Sequence, residues 1–334
     1  MNYIKIEGHS EKPKYQQIIQ SVIDAIDNNT LQLGDKLPSL NQLCKTFSLS
    51  QDTALMAYND LKSKGIVASA VGKGYFVSSI NTHQTNRVFL LFDRLTLYKE
   101  NLYNIILDKF KNKGSVDIFF HHNNKEVFHK LINEAAGQYS SYIIMPIIDT
   151  GTLGVLAELP VKKVFILDVG RNLLGHKYAY VCQNFEKDVY NCLKKGKKEL
   201  SKYQKIYLVN PDKNIHATEM QKGISKFTKA NKFEFDTIKN PNQHKIEKHA
   251  VYLTIKDIDL VDIIKKANDK NLIIGRDIGI ISYNKSPLKE VMANGITTIS
   301  TDFEEMGKMI SNMILNNKRE KIDNKVELII GGSL

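Results

Sequence analysis

Apolar side chains at Tyr15, Ile18, Ile19, Val22, Ile23 and Ile26 keep the 3-and-4 spacing of a one-sided helix, which predicts an amphipathic helix over residues 14–28. Asn28-Asn29 and Gly34-Asp35 supply a loop after it. Pro38 and Ser39 then precede Leu40, Leu43 and Phe47, the inward positions of a short helix that Ser39 can cap. Ser50 can cap a second helix, with Thr53 in a weak version of the capping box. Ala54, Ala57, Tyr58 and Leu61 form its inner face, and Gln51, Asp52, Leu55, Asn59 and Lys62 its outer one. Gly65 stops this helix, 66–68 reads as a strand, Gly72-Lys73-Gly74 as a tight turn, and Tyr75-Phe76-Val77 as the returning strand. Two helices joined by so short a turn, followed by a hairpin, make a winged helix-turn-helix over residues 1–78.

Residues 79–86 are polar and aperiodic and read as a linker. From 87 to 334 the pattern changes to short apolar runs, at 88–92, 116–120, 142–145, 164–167, 206–209, 251–253 and 278–281, separated mostly by helical spacings such as Leu102, Ile105, Ile106 and Phe110. Strands alternating with helices predict parallel sheets covered on both faces, and this length suggests two α/β lobes. Open α/β sheets bind ligands beyond the carboxyl ends of their strands. That rule selects Asp93, Pro146, Asp168, Asn210, Thr254, Asp257 and Asn284.

Composition is that of an ordinary globular chain, with 42% hydrophobic and 25% charged residues. No run is long enough for a membrane span and no signal-peptide core is present, so a cytoplasmic protein without membrane contact is expected. Cys44, Cys182 and Cys192 lack disulfide or metal spacing and are expected to be reduced thiols. His121, His122 and His129 do not make a metal site on this reading, because adjacent strand residues point to opposite faces. No nucleophile elbow, pyridoxal lysine or metal motif is found, so neither an enzyme nor a cofactor is expected.

The net charge of +11 is unevenly spread. Residues 1–80 hold eight lysines, no arginine and seven acids, a balance of +1, and the remaining +10 lies downstream. The basic footprint usual for DNA binding is therefore absent from the winged segment. Lysine clusters such as Lys194-Lys195 and Lys197-Lys198 read as a solvated helix face. A recognition helix places its N-terminal residues on base edges, which selects Gln51, Asp52 and Thr53 as readers. Glutamine can bond adenine bidentately and aspartate can accept from the cytosine amine. Ser39, Asn41, Ser50, Lys73 and the adjoining Gly74 fall where phosphates would be held.

The order Pro13-Lys14-Tyr15-Gln16, Gly34-Asp35-Lys36-Leu37-Pro38-Ser39, Lys64-Gly65 and Gly72-Lys73-Gly74-Tyr75-Phe76-Val77 resembles the winged helix of the GntR family of bacterial transcription regulators. The chain departs from that family at Asn41 and Gln51, where members usually carry arginine on DNA. Further on, the segments Asp277 to Asn284, Pro287-Leu288, Ile296 to Ile299 and Asp302 to Gly307 resemble the effector domain of LacI/GalR regulators, a periplasmic-binding-protein-like (type I) fold. Phe165 to Asp168 and Gln183-Asn184-Phe185 match it more weakly. The combination is known among regulators of carbohydrate use of the arabinose-repressor type.

The second resemblance implies a sugar or related small molecule bound between two lobes and a dimer whose hold on DNA it alters. It places Asp168 on ligand hydroxyls, Phe303 on the ligand's apolar face, and Asp257 as the acid of a pair whose partner here is Lys256. Asn284 stands where an aspartate is common, and Met220 where an arginine is. Asp93 and His216 join the effector set by their positions after strands. The expected protein is a homodimeric regulator that binds double-stranded operator DNA under control of a small molecule. The rival is a ligand sensor of the same fold whose winged helix has lost DNA.

Overall fold

The computed structural model describes residues 2–7, 10, 12–70, 72–80, 82, 86–209 and 215–334. Half of the expected linker (81 and 83–85), and the strand-end residue Asn210, lie outside the described residues. The described parts form two compact units: residues 1–96, 102–180 and 307–321, and residues 97–101, 181–306 and 322–334. The winged fold thus groups with the first sheet rather than standing alone.

The winged fold contains α1 (Lys14–Asp27), α2 (Leu40–Phe47), α3 (Gln51–Ser63), β1 (Val67–Ala70) and β2 (Gly74–Val77). Helix α1 buries Ile18, Ile19, Val22 and Ile26, the face its periodicity predicts. They share a core with Leu43 of α2 and with Ala54, Ala57, Tyr58 and Leu61 of α3. Strands β1 and β2 are antiparallel, with Ala70 opposite Gly74, and a left-handed backbone at Gly72 and Gly74 (φ 76° and 85°) closes the wing. Segment 34–37 adds backbone bonds to β2: Leu37 N donates to the Tyr75 carbonyl at 2.9 Å, and Val77 N to that of Asp35 at 2.9 Å. The Tyr58 hydroxyl donates to the Pro38 carbonyl at 2.7 Å, fixing the entry to α2 against the middle of α3.

Beyond it come β3 (Asn86–Phe92), α4 (Leu97–Phe110), β4 (Gly114–Phe120), α5 (Lys125–Ala135), β5 (Ser141–Ile144), α6 (Thr152–Leu156), β6 (Val164–Asp168), α7 (Arg171–Leu174) and β7 (Ala179–Cys182). The chain continues through α8 (Phe185–Lys195), α9 (Lys197–Leu200), β8 (Lys205–Val209), α10 (Ile215–Asn231), β9 (Glu234–Ile238), β10 (Ala250–Thr254), α11 (Asp257–Asp269) and β11 (Gly279–Tyr283). It ends with α12 (Pro287–Val291), β12 (Thr297–Thr301), α13 (Phe303–Leu315), β13 (Lys321–Asp323) and β14 (Val326–Ile329).

One sheet has the order β13-β7-β6-β5-β3-β4 and the other β14-β12-β11-β10-β8-β9. The pairs β3–β4, β3–β5 and β5–β6 in the first, and β8–β9, β8–β10, β10–β11 and β11–β12 in the second, are parallel, while β14 is antiparallel to β12. The α/β class with a winged helix-turn-helix and two parallel-sheet lobes is therefore the observed architecture. Strands β5, β6, β10 and β11 are buried throughout, as strands covered on both faces must be. Among the described residues no helix is long and apolar enough to cross a membrane.

Candidate DNA-reading helix and effector-binding strand ends

The DNA-facing candidates depend on two helix starts. At α2 the Ser39 hydroxyl accepts from Gln42 N at 3.2 Å while Gln42 Oε1 accepts from Ser39 N at 2.8 Å, a complete capping box. At α3 the Ser50 hydroxyl accepts from Thr53 N at 3.2 Å, and the two hydroxyls lie 2.8 Å apart. The reciprocal box thus belongs to the first helix, because Gln42 can reach back and Thr53 is too short to do so. Both serines remain exposed, as do Asn41, Gln51, Asp52 and Lys73, with Thr53 and Gly74 half-buried.

The outer face of α3 departs from its expected composition at Asn59 and Lys62, both half-buried, and at the exposed Met56. Burial holds the Lys62 amine below the usual lysine value. Leu55, as expected, and Met56 beside it are exposed, 37% and 52% respectively. Met56 belongs to neither face as the periodicity assigns them, and it adds a second apolar side chain to the exposed one. Lys36 also belongs to this surface: its Cε lies 3.5 Å from where a side chain on Gly74 would begin, so the wing tip is bordered by a second lysine.

In the first sheet, Asp93 follows β3 and Asp168 ends β6, with β5 between them in sheet order. Asp93 Oδ1 accepts from Arg94 N at 2.7 Å, and its carboxylate lies 3.7 Å from the Arg94 Nε. Asp168 is buried and adopts a left-handed backbone (φ 67°). A non-glycine residue in that conformation needs support from its surroundings. Gly170, two residues on, has a left-handed backbone (φ 102°), and a Cβ there would crowd the Pro146 and Ile148 side chains at 3.0 and 3.2 Å, so a larger residue would be strained. The chain after β6 is thereby pressed onto the segment that follows β5, bringing Pro146 beside it.

In the second sheet the order β12-β11-β10-β8 puts four strand ends in a row. Phe303 follows β12, Asn284 follows β11, Lys256 and Asp257 follow β10, and His216 lies on the helix after β8. Phe303 stacks on Tyr98 with ring centroids 4.6 Å apart and planes 20° from parallel. His216 meets the edge of Phe185 at 4.8 Å, and Phe185 in turn lies 6.2 Å from Tyr283. Asn284 (φ 59°) accepts through Oδ1 from Thr301 N at 3.3 Å.

Two groups at these strand ends escaped the sequence reading of single positions. Gln183 is buried, and its Oε1 accepts from the Tyr283 hydroxyl at 3.0 Å and the Thr301 hydroxyl at 2.7 Å. Lys289 is buried too, and its amine donates to the Tyr283 and Asn284 carbonyls at 2.9 and 2.8 Å and to Asp257 Oδ1 at 2.9 Å. One oxygen of Asp257 is therefore committed within the protein. Met220, at the position where the resembling family has arginine, is buried and apolar. Gln183 stood within a matched motif, whereas nothing local marks Lys289.

The profile "Bacterial regulatory proteins, gntR family" matches residues 14–77, and that of a "Periplasmic binding protein-like domain" matches residues 183–334. The transcriptional repressor YtrA of Bacillus subtilis is 30% identical over 105 residues, which is 31% of this chain and 77% of YtrA. Further matched regulators are covered over 14–32% of their own length. A LacI family regulator from Lactobacillus casei, solved with bound glucose, superposes on 74% of this chain and 99% of its own with a TM-score of 0.58 at 13% identity. The dimeric Lac repressor does so over 74% and 97% with a TM-score of 0.62 at 16% identity. These likenesses carry the fold of the α/β part, and the winged helix carries the kinship: the chain belongs to the GntR family of bacterial regulatory proteins.

Proposed function

We propose that the protein is a transcription regulator that binds operator DNA as a homodimer and is controlled by a small polyhydroxylated effector, a sugar or close relative. One observation carries this reading. The same chain joins a capped, exposed recognition helix to two parallel sheets whose carboxyl ends gather amide, hydroxyl and aromatic groups. Gln51, Asp52 and Thr53 read bases, and Ser39, Asn41, Ser50, Lys73 and the backbone at Gly74 hold phosphates. Leu55 and Met56 offer apolar contact to thymine methyl groups.

Asp93 and Asp168 in one lobe, and His216, Lys256, Asp257, Asn284 and Phe303 in the other, are the effector contacts. Carboxylates and amides suit hydroxyl-rich ligands, and a stacked aromatic suits the apolar face of a sugar ring. The glucose held by the Lactobacillus casei regulator supports a sugar, and the dimeric Lac repressor supports a dimer. Regulation is linkage: an effector preferring one arrangement of the chain shifts the population able to set two recognition helices about one DNA turn, roughly 34 Å, apart. The site of action is the cytoplasm, with the DNA.

Fluorescence anisotropy on the DNA upstream of its own reading frame, against scrambled DNA over a salt series, tests this. Specific binding is expected, with a shallow salt slope because the winged segment is nearly neutral. Gln51→Ala should cost about 1–3 kcal/mol of discrimination, and Lys73→Ala should reduce the salt slope by about 1. Equal affinity for both DNAs at every salt, with and without sugars, would sink the reading. It would favour a sensor without DNA, which the +1 balance and the Asn41 and Gln51 departures already motivate.

A further inference from the structure

Helix α3 changes character half-way along. Gln51, Asp52, Leu55 and Met56 are exposed, whereas no residue from Ala57 to Ala68 is. Asn59, Asp60, Lys62 and Lys64 belong to that covered stretch, and Ser63 is fully buried within it. Asp60 Oδ1 is shut off from solvent, with Lys64 Nζ at 2.6 Å. Polar side chains on the outer face of a surface helix are ordinarily solvated, so a neighbour covers this half of α3.

That neighbour is the first sheet, at the amino ends of β6, β5 and β3, which lie side by side. At the start of β3, Arg87 Cδ lies 3.4 Å from where a side chain on Gly65, just past α3, would begin. Before β5, a Cβ on Gly137 would lie 3.8 Å from Asn59 Oδ1. Before β6, Lys163 is half-buried and feels two charges of the winged fold. Burial holds its amine below the usual lysine value, with Asp60 opposing that shift and Lys64 adding to it. Arg87 is itself fixed in place. Its Nε and Nη2 donate to Asp117 Oδ2 at 3.3 and 3.0 Å, and its guanidinium lies 4.7 Å over the Tyr139 ring. The Tyr139 hydroxyl donates to the same carboxylate oxygen at 3.0 Å.

We propose that residues 59–65 seat the winged fold on the amino ends of β3, β5 and β6, and that this seat sets the half-site spacing an operator must offer. The proposal rests on the reading of the protein as a dimeric operator binder. The seat holds the C-terminal half of α3 and leaves its N-terminal half open, so the seated arrangement is the one that reads DNA. A reader on a loose tether accepts a range of half-site separations, whereas a reader fixed to its lobe accepts few. Asn59, Gly137 and Lys163 are therefore positioning residues that select spacing and leave base reading to the start of the helix. The seat also joins two functions through the same strands. β3 leads from Arg87 to Asp93 and β6 from Lys163 to Asp168, spans of roughly 15–20 Å between the seat and the candidate effector contacts.

A cysteine pair and a charge reversal, both in the full chain, test this. Asn59→Cys/Gly137→Cys, with Cys44→Ser to remove the half-buried thiol, should close a disulfide within one chain under mild oxidant and without DNA, because the two positions face each other at contact distance. Anisotropy is then read on operators whose half-sites are moved together or apart by one or two base pairs. The oxidised chain should match the natural chain at every spacing, with displaced half-sites bound at least about tenfold more weakly than the preferred ones. Lys163→Glu sets a carboxylate against Asp60 and should flatten that profile to within about threefold while single half-site affinity stays unchanged. Lys163→Glu/Asp60→Lys should restore it. Failure to cross-link in a chain that melts as the natural one does overturns the seat. An oxidised chain that loses the preferred spacing, or a Lys163→Glu chain that keeps the natural profile, overturns its role in spacing. Cross-linking without specific binding of any operator by any of these chains removes the operator reading, and the spacing role with it, while the seat stands.

Discussion

The winged fold and the α/β part hold their functional groups in opposite ways. In the winged fold the candidate readers sit at the start of one helix, positioned by bonds that span three residues, Ser39 to Gln42 and Ser50 to Thr53. In the α/β part the strand-end groups are held by bonds across great sequence distance, as from Gln183 to Tyr283 and to Thr301. Local capping makes a reader that depends on one small core. Long-range bonding makes a site whose shape depends on the whole sheet. The contrast implies that DNA binding and effector binding can be damaged separately.

The strongest attempt to break that contrast is Leu61→Ala. Leu61 is fully buried in the core shared by α1 and α3, and such a truncation should cost about 2–5 kcal/mol. DNA binding should fall with it, while the rise in melting temperature caused by a bound sugar persists. Loss of that ligand-induced shift as well would show the two parts to be one cooperative unit. The converse substitution is Tyr98→Ala, which removes the ring stacked on Phe303. Effector affinity should drop about tenfold, or ~1.4 kcal/mol, with operator affinity of the ligand-free protein unchanged. An unchanged effector titration curve would remove the stack from the site.

A smaller effect concerns acid stability of the second unit. Burial depresses the His244 imidazole below its ordinary value of 6.5, against an opposing pull from Glu247, so the folded chain holds that proton less tightly than the unfolded chain. The stability this group confers is complete above the unfolded value and is lost as pH falls through it toward the folded one. Urea midpoints should therefore decline between pH 8 and pH 5.5, and the decline should be shallower in His244→Phe. Equal declines in both proteins would assign the acid sensitivity to other groups.

The same contrast explains what could be read from the sequence. Helix α1, the turn into α3 and the wing follow from periodicity, capping serines and glycines, all signals within a few residues. The parallel strands 88–92 and 251–253 were legible as apolar runs that structure extends by one or two residues, and 142–145 as a run whose strand, Ser141–Ile144, is shifted by one. Strand β9 was not, because its Glu234, Phe235, Asp236 and Thr237 alternate as an edge strand does. Strand β12 is mostly threonine and serine, yet fully buried, because partners such as Gly331 and Gln183 satisfy its hydroxyls from distant segments. Lys289 illustrates the limit: a lysine beside an exposed leucine reads as surface, and only the fold supplies the two carbonyls and the carboxylate that hold it inside. Strand-end positions were legible from topology, whereas their bonding was not.

The sheet order has a consequence for how the chain is made. The first sheet ends in β13, and β13 follows the entire second sheet except β14. During synthesis the winged fold has all of its strands and helices early and can close on its own core, whereas β7 must wait for most of the chain to emerge before its neighbour arrives. Until then β7 presents an unpaired edge of the kind that recruits other chains. A nascent or prematurely ended polypeptide would therefore carry a finished reader tethered to an unfinished, adhesive sheet.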